Sequence, residues 1–142
     1  MQILSLKNLE IIQSQFDALH FENADGGDLY IYPGFIAVVD DCGAFGVMDP
    51  TDVTLTFSTE RIPETSKIPE DVPIAGYTWA KANKDGSPDR RFRDNYQIPV
   101  CLYGNIRIRS TSGLDESWLF SNHDAAKDLV AAYREFTEVI KR

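Results

Sequence analysis

The chain predicts an α+β fold: an N-terminal helix, a bent antiparallel sheet of about six to seven strands, and a C-terminal amphipathic helix. Three observations predict it. Leu6, Leu9, Ile12, Phe16 and Leu19 recur at spacings of three and four, which is one face of a helix over residues 5–20. From residue 28 to 120, short runs rich in aromatic and β-branched residues alternate with Gly, Pro and Asp turn signals. Beyond them, Leu129, Tyr133, Phe136 and Ile140 form a helical stripe, with Ala126 and Val130 beside it. Strands joined by short turns favour antiparallel pairing, because parallel neighbours need helical crossovers that this order of elements does not offer.

Each element has its own warrant. Ser5 is the candidate cap of the first helix, and the glycines of Ala24–Asp28 end that segment. Leu29–Tyr32 and Phe35–Asp40 are strands bent around Pro33-Gly34, and Phe45–Met48 is a short third piece. Val53, Leu55 and Phe57 alternate with Thr54, Thr56 and Ser58, the period of a half-buried strand. The prolines and acids of residues 62–73 predict an exposed loop. Ala75–Lys81 resumes as a strand, and Asp85-Gly86 supplies a tight hairpin turn. Val100–Tyr103 and Asn105–Arg109 are two further strands, the second with Ile106 and Ile108 inward and Arg107 and Arg109 outward. Ser112-Gly113 turns the chain into a last strand, Ser117–Phe120, whose Trp118 is expected under the terminal helix. Ser121-x-x-Asp124 fits a capping box for that helix.

The 142 residues suit one domain: residues 1–22 as the helix, and 28–142 as sheet plus terminal helix. With 43% apolar and 25% charged residues, the composition excludes a disordered chain. Two cysteines are too few to staple a secreted scaffold. Their neighbours read as a turn thiol at Cys42 and a packed, inert strand thiol at Cys101. Neither a signal peptide nor a membrane span is expected, which points to the cytoplasm.

Charge is distributed unevenly. Residues 1–80 hold 13 acids against three bases, whereas residues 81–109 hold three acids against seven bases, within a net charge of −8. An acidic surface repels nucleic acid at long range, so nucleic acid is not an expected partner. The basic island is the candidate binding site: Lys81, Lys84, Arg90, Arg91 and Arg93, with Tyr96 as an aromatic neighbour. Guanidinium forks match planar oxyanions, but Asp85, Asp89 and Asp94 are close enough in sequence to neutralise the bases internally. Strand alternation across Phe92 would let at most two of the three arginines share a face.

No other constellation carries chemistry. Asp40, Asp41, Asp49 and Asp52 lack the register and closing Glu of a calcium loop, so no metal site is expected. His20 and His123 have no sequence neighbour that pairs nucleophile with base, so neither a catalytic residue nor a cofactor is predicted. The aromatics Tyr30, Tyr32, Phe35, Trp79, Tyr96 and Tyr103 suit core packing better than base stacking.

Two resemblances add to this reading. The last strand Glu116–Ser121 and the helix opening Asn122-x-x-Ala125-Ala126 resemble a pleckstrin-homology-like domain over roughly residues 28–140. That resemblance implies a bent sheet plugged by the terminal helix. Trp79, Asn83-Lys84-Asp85-Gly86, Pro88-Asp89-Arg90-Arg91-Phe92, Asn95, Ile98-Pro99, Tyr103-Gly104 and Ser112-Gly113-Leu114 resemble the signature of an uncharacterised bacterial C-terminal module. This implies a bacterial or phage setting and attaches no reaction. The expected function is therefore non-enzymatic binding of a protein partner. One alternative is an acidic immunity or anti-defence protein that neutralises a basic toxin or nuclease. The other is capture of a phosphate ligand or lipid headgroup by the Lys81–Arg93 loop.

Overall fold

The computed structural model of the chain describes residues 4–7, 18–23, 27–40 and 42–141. Five strands follow one another along the first third of the chain: β1 (Leu4–Lys7), β2 (Ala18–Phe21), β3 (Asp28–Ile31), β4 (Ile36–Val39) and β5 (Phe45–Met48). They form one antiparallel meander in the order β1-β2-β3-β4-β5. A 3₁₀ turn at Pro50–Asp52, capped by the Asp49 side chain, leads to β6 (Val53–Pro63), β7 (Ile74–Trp79), β8 (Gln97–Ser110) and β9 (Asp115–Phe120). In this second sheet β8 lies between β6 and β7, and β9 also pairs with β8. The helix α1 (His123–Ile140) closes the order.

The expected α+β arrangement is corrected on two counts: the described chain is mostly β, and its strands make two sheets instead of one bent sheet. Both ends of the expected N-terminal helix are strands, paired with each other from Leu4↔Phe21 to Lys7↔Ala18. Residues 8–17, the middle of that helix, lie outside the described residues. The physical reason is that β2 also pairs with β3, as in Leu19↔Ile31, so partner strands take up its backbone groups. A three-and-four spacing over a few apolar residues cannot register such long-range pairing.

The remaining elements follow local chemistry more closely. The turn between β3 and β4 is closed by the Tyr32 N–H donating to the Phe35 carbonyl at 2.9 Å. β6 starts with the expected alternation, Val53 and Leu55 buried and Thr54 exposed, but runs on to Pro63. The two strands expected over residues 100–109 are one 14-residue strand, with Ile106 and Ile108 buried and Arg107 and Arg109 exposed. The helix cap is Asn122, one residue after the expected Ser121: its Oδ1 accepts from the Ala125 N–H at 3.1 Å. Along α1 the buried positions are Ala126, Val130, Tyr133 and Thr137, with Leu129 and Phe136 half-buried and Ile140 exposed, so the stripe is centred on the expected flank of Ala126 and Val130.

The chain divides into two compact units. The first holds the residues up to Leu55 with Arg107–Trp118 and the chain from Tyr133 onward. Its core includes Ala18, Tyr30, Tyr32 and Ala37, with Phe35 stacked on Tyr32 at 4.8 Å between ring centres. Trp118 belongs here: its indole Nε1 donates to the Glu22 carbonyl at 2.9 Å, and its ring meets Phe21 edge-on. Tyr133 donates to the Pro50 carbonyl at 2.9 Å.

The second unit holds Thr56–Ile106 and Leu119–Ala132. Val72, Cys101 and Tyr103 form its core, with Ile62, Ile68 and Leu119 packed against them. The start of α1 lies close on β8 at Gly104, where a Cβ would stand 2.9 Å from the Ala126 Cβ and 3.0 Å from Phe57.

Candidate functional site

The basic island lies between β7 and β8, within the second unit, and its backbone is tied by its own side chains. Asn83 N–H donates to the Ser87 carbonyl and Gly86 N–H to the Asn83 carbonyl, both at 2.9 Å. Gly86 takes φ +88°, the left-handed value that glycine accepts without a Cβ clash. Asp85 Oδ1 accepts from the Ser87 N–H at 3.0 Å and from its hydroxyl at 2.6 Å. These bonds hold the Asp85 carboxyl below its ordinary value, the hydroxyl contributing most. Ala82 bridges to Pro88, and the Asp89 N–H returns to the Lys81 carbonyl at 3.0 Å.

Asn95 closes the base of the loop. Its Oδ1 accepts from the Lys81 N–H at 2.9 Å and its Nδ2 donates to the Lys81 carbonyl at 2.7 Å. The pair imitates a β-ladder step with a side chain standing in for a strand. The Ala80 N–H donates to the Tyr96 carbonyl at 2.8 Å, so the ladder between β7 and β8 continues past both strand ends.

Asp89 and Arg91 form a forked pair. Arg91 Nε donates to Asp89 Oδ1 at 3.0 Å and Nη2 to Oδ2 at 2.7 Å, while the Arg91 N–H also reaches Oδ1 at 3.1 Å. The Asp89 side chain is only 10% exposed, against 83% for Arg91. The guanidinium hydrogen bonds hold the Asp89 carboxyl below its usual value, and the same contact raises Arg91. The aspartate anchors the loop, and the arginine stands over it as a lid.

Among the described residues this is the one ion pair within residues 81–96. The expected internal neutralisation therefore reaches Arg91 alone. Lys84 and Arg90 are exposed, at the hairpin tip and in the next turn. Residues 90–94 are turn, not strand, so no pleat alternates their side chains. Arg91 and Arg93 line a common cleft of about 440 Å³ with Thr65, Ala80, Lys81 and the rest of the run 91–96. Lys84 and Arg90 are not brought into it. The Lys81 ammonium sits 5.3 Å from the centre of the Phe92 ring, a cation–π distance. Phe92 and Tyr96 remain 45% and 57% exposed, so the cleft presents cations beside apolar rings.

Of the two side chains that organise this surface, sequence reasoning offered Asp89 among three possible partners for the bases and missed the closing role of Asn95. Asp89-x-Arg91 carried a usable signal, since an Asp two residues before a donor often bonds it. Asn95 carried none, because its partner lies 14 residues earlier. A third arrangement was also missed. Thr59 Oγ1 lies 2.8 Å from His123 Nε2, and His123 Nδ1 lies 2.9 Å from Asp124 Oδ1. This is a hydroxyl–imidazole–carboxylate series, but the Asp124 side chain is 87% exposed and in solvent its charge orients the ring only weakly. Its plain role is to tie the start of α1 to β6.

The other candidates serve structure. His20 is on β2, 2.8 Å from Asp28 and stacked on Tyr30. Asp40 accepts from the Cys42 and Ala44 N–H groups, and Asp49 from Thr51, so both carboxylates close turns; Asp41 lies outside the described residues. Cys42 is exposed and Cys101 fully buried, where burial pushes its thiol up. Tyr30, Tyr32 and Tyr103 are buried, which leaves Tyr96 as the exposed member of the proposed aromatic set, with Trp79 half-buried. Among the described residues no helix is long and apolar enough to cross a membrane.

Comparison with family models, with curated proteins and with solved structures finds no match to this chain.

Proposed function

We propose that the chain binds a protein partner without chemical turnover, through the cleft bounded by Lys81, Arg93 and Tyr96. The observation that carries this reading is a contrast within one loop. Its backbone is held by Asn83, Asp85, Asp89 and Asn95, while Lys81, Arg93, Phe92 and Tyr96 present charge and apolar rings outward. A surface ordered before binding loses less entropy on association. Arginine and tyrosine are also the residues most often found as interface anchors. The site suits a protein segment better than a phosphate, because Asp89 already takes the Arg91 fork that a phosphate would use and the exposed Phe92 and Tyr96 rings offer apolar contact. The signature over residues 79–114 supports a bacterial or phage setting.

The test is cross-linking and capture with the full chain, comparing the unaltered protein with Arg93→Glu and Tyr96→Ala. Both variants should keep the melting temperature and retain about tenfold less of the partner, the loss expected on removing one interface anchor. Equal recovery by all three proteins would remove this cleft as the contact surface.

A further inference from the structure

The second sheet ends in an unpaired edge that runs directly into the basic cleft. β7 pairs with β8 on one side, and among the described residues no strand covers its other side. Which backbone groups point outward follows from one bond. The Pro99 carbonyl accepts from the Glu64 N–H at 3.0 Å, just beyond the end of β6. In an extended strand the N–H and C=O of one residue point to the same side. Pro99 therefore faces β6, and Tyr77, which stands opposite Pro99 in β7, belongs to a pair that exchanges no hydrogen bonds. Its N–H and C=O project from the free edge. Two residues on, Trp79 opposite Gln97 does the same. The Ala80 bond to Tyr96 and the Pro73 carbonyl's bond from the Leu102 N–H agree with this parity.

Edges of this kind are usually protected by a charge, a proline, a bulge or a covering element. β7, of sequence IAGYTW, carries no charge and no proline, and its register shift lies between Ile74 and Gly76, before the stretch Tyr77–Trp79. Ile74 is 48% and Tyr77 64% exposed. The cations begin two residues after its end, at Lys81, and continue across the cleft to Arg93.

We infer that β7 accepts an extended acidic segment of a partner protein as an added strand, with the segment's carboxylates seated on Lys81 and Arg93. The inference rests on the binding role proposed above and names the partner's chemistry. Backbone bonds to Tyr77 and Trp79 hold the segment in register, and its side chains on one face meet the Tyr77 ring. The cations then select acidic segments over basic ones.

The test uses the full chain as bait against a displayed library of random peptides about seven residues long, the span of an ordinary strand. Selected peptides should be rich in Asp, Glu and β-branched residues and free of proline. N-methylation of the peptide at alternate positions should weaken binding about tenfold at one parity and leave it unchanged at the other. Tyr77→Pro removes an outward N–H that β8 does not use, whereas Tyr77→Thr keeps it. The first should lose the selected peptides and the second retain them. Selection of basic peptides, selection of none, or equal binding by Tyr77→Pro and Tyr77→Thr overturns the added strand. Those outcomes leave the binding role standing if partner capture still depends on Arg93 and Tyr96. If capture ignores both residues, the binding role itself fails.

Discussion

The Asn95 carboxamide engages both backbone groups of Lys81, accepting from the N–H at 2.9 Å and donating to the carbonyl at 2.7 Å. A side chain thus completes a ladder step that the backbone between β7 and β8 does not supply. The loop of residues 81–95 is closed at its base as a strand pair would close it.

Asn95→Ala removes both bonds and leaves the two Lys81 groups to water. The loss should be about 1 kcal/mol, as for hydrogen bonds that solvent can partly replace. Urea denaturation measures it, and limited proteolysis within residues 82–94 should become faster. Unchanged cleavage in that loop would show that Asn95 does not close it.

Acid should release the loop from its aspartate. Asp89 has its folded carboxyl lowered, chiefly by the Arg91 side-chain bond, so the ionised form is the one that folding favours. Its stabilisation is fully present above the ordinary carboxylate value of about 4 and is lost as pH falls through the lowered value. The Arg91 Nε–H signal in NMR should stay fixed from neutral pH down to about 4 and shift below it. In Asp89→Asn that acid-linked shift should be absent. A signal that moves identically in both proteins would separate Arg91 from Asp89 in solution.

Two phenols should titrate late. Burial, with help from Glu64, pushes Tyr103 up to about 12, and burial with the Asp49 charge does the same for Tyr133. For a raised group the stabilisation is complete below the ordinary value of about 10 and fades as pH rises through the folded value. Phenolate absorbance should therefore show a component near pH 12 that Tyr103→Phe and Tyr133→Phe each reduce. Absence of a late component would place both rings in solvent.

Gly104 should accept a side chain only at a cost. An added Cβ would meet the Ala126 Cβ at 2.9 Å and Phe57 at 3.0 Å, and α1 would have to lift from β8. Gly104→Ala should cost about 1–3 kcal/mol by overpacking, and Gly104→Val more. An unaltered urea midpoint for the alanine variant would contradict that close approach.

Much of the secondary structure was legible because its causes are local. Pro33-Gly34, Asp85-Gly86 and Ser112-Gly113 fall at turns, and the glycines at 86 and 113 take positive φ. Ile106 and Ile108 face inward because strand geometry alternates side chains whatever the partner. The basic cluster was legible as composition, and alternation allowed at most two of its three arginines on one face, but the cause of the division was not legible. Arg91 and Arg93 share a cleft, and Arg90 lies outside it, because the turn at residues 90–94 sets their directions and no pleat does.

The sequence alone determined the run of strands between residues 28 and 120, the C-terminal helix and a cationic loop in an acidic protein, while its N-terminal helix and single bent sheet were overturned. Turn chemistry, side-chain period and charge are properties of neighbouring residues. Only the tertiary structure decided that Leu4–Lys7 and Ala18–Phe21 are paired strands, that Asn95 closes on Lys81, and that Asp89 occupies Arg91. Each depends on a backbone or side-chain group finding its partner across space. A residue's preference for helix or strand yields to whichever partner satisfies its hydrogen bonds.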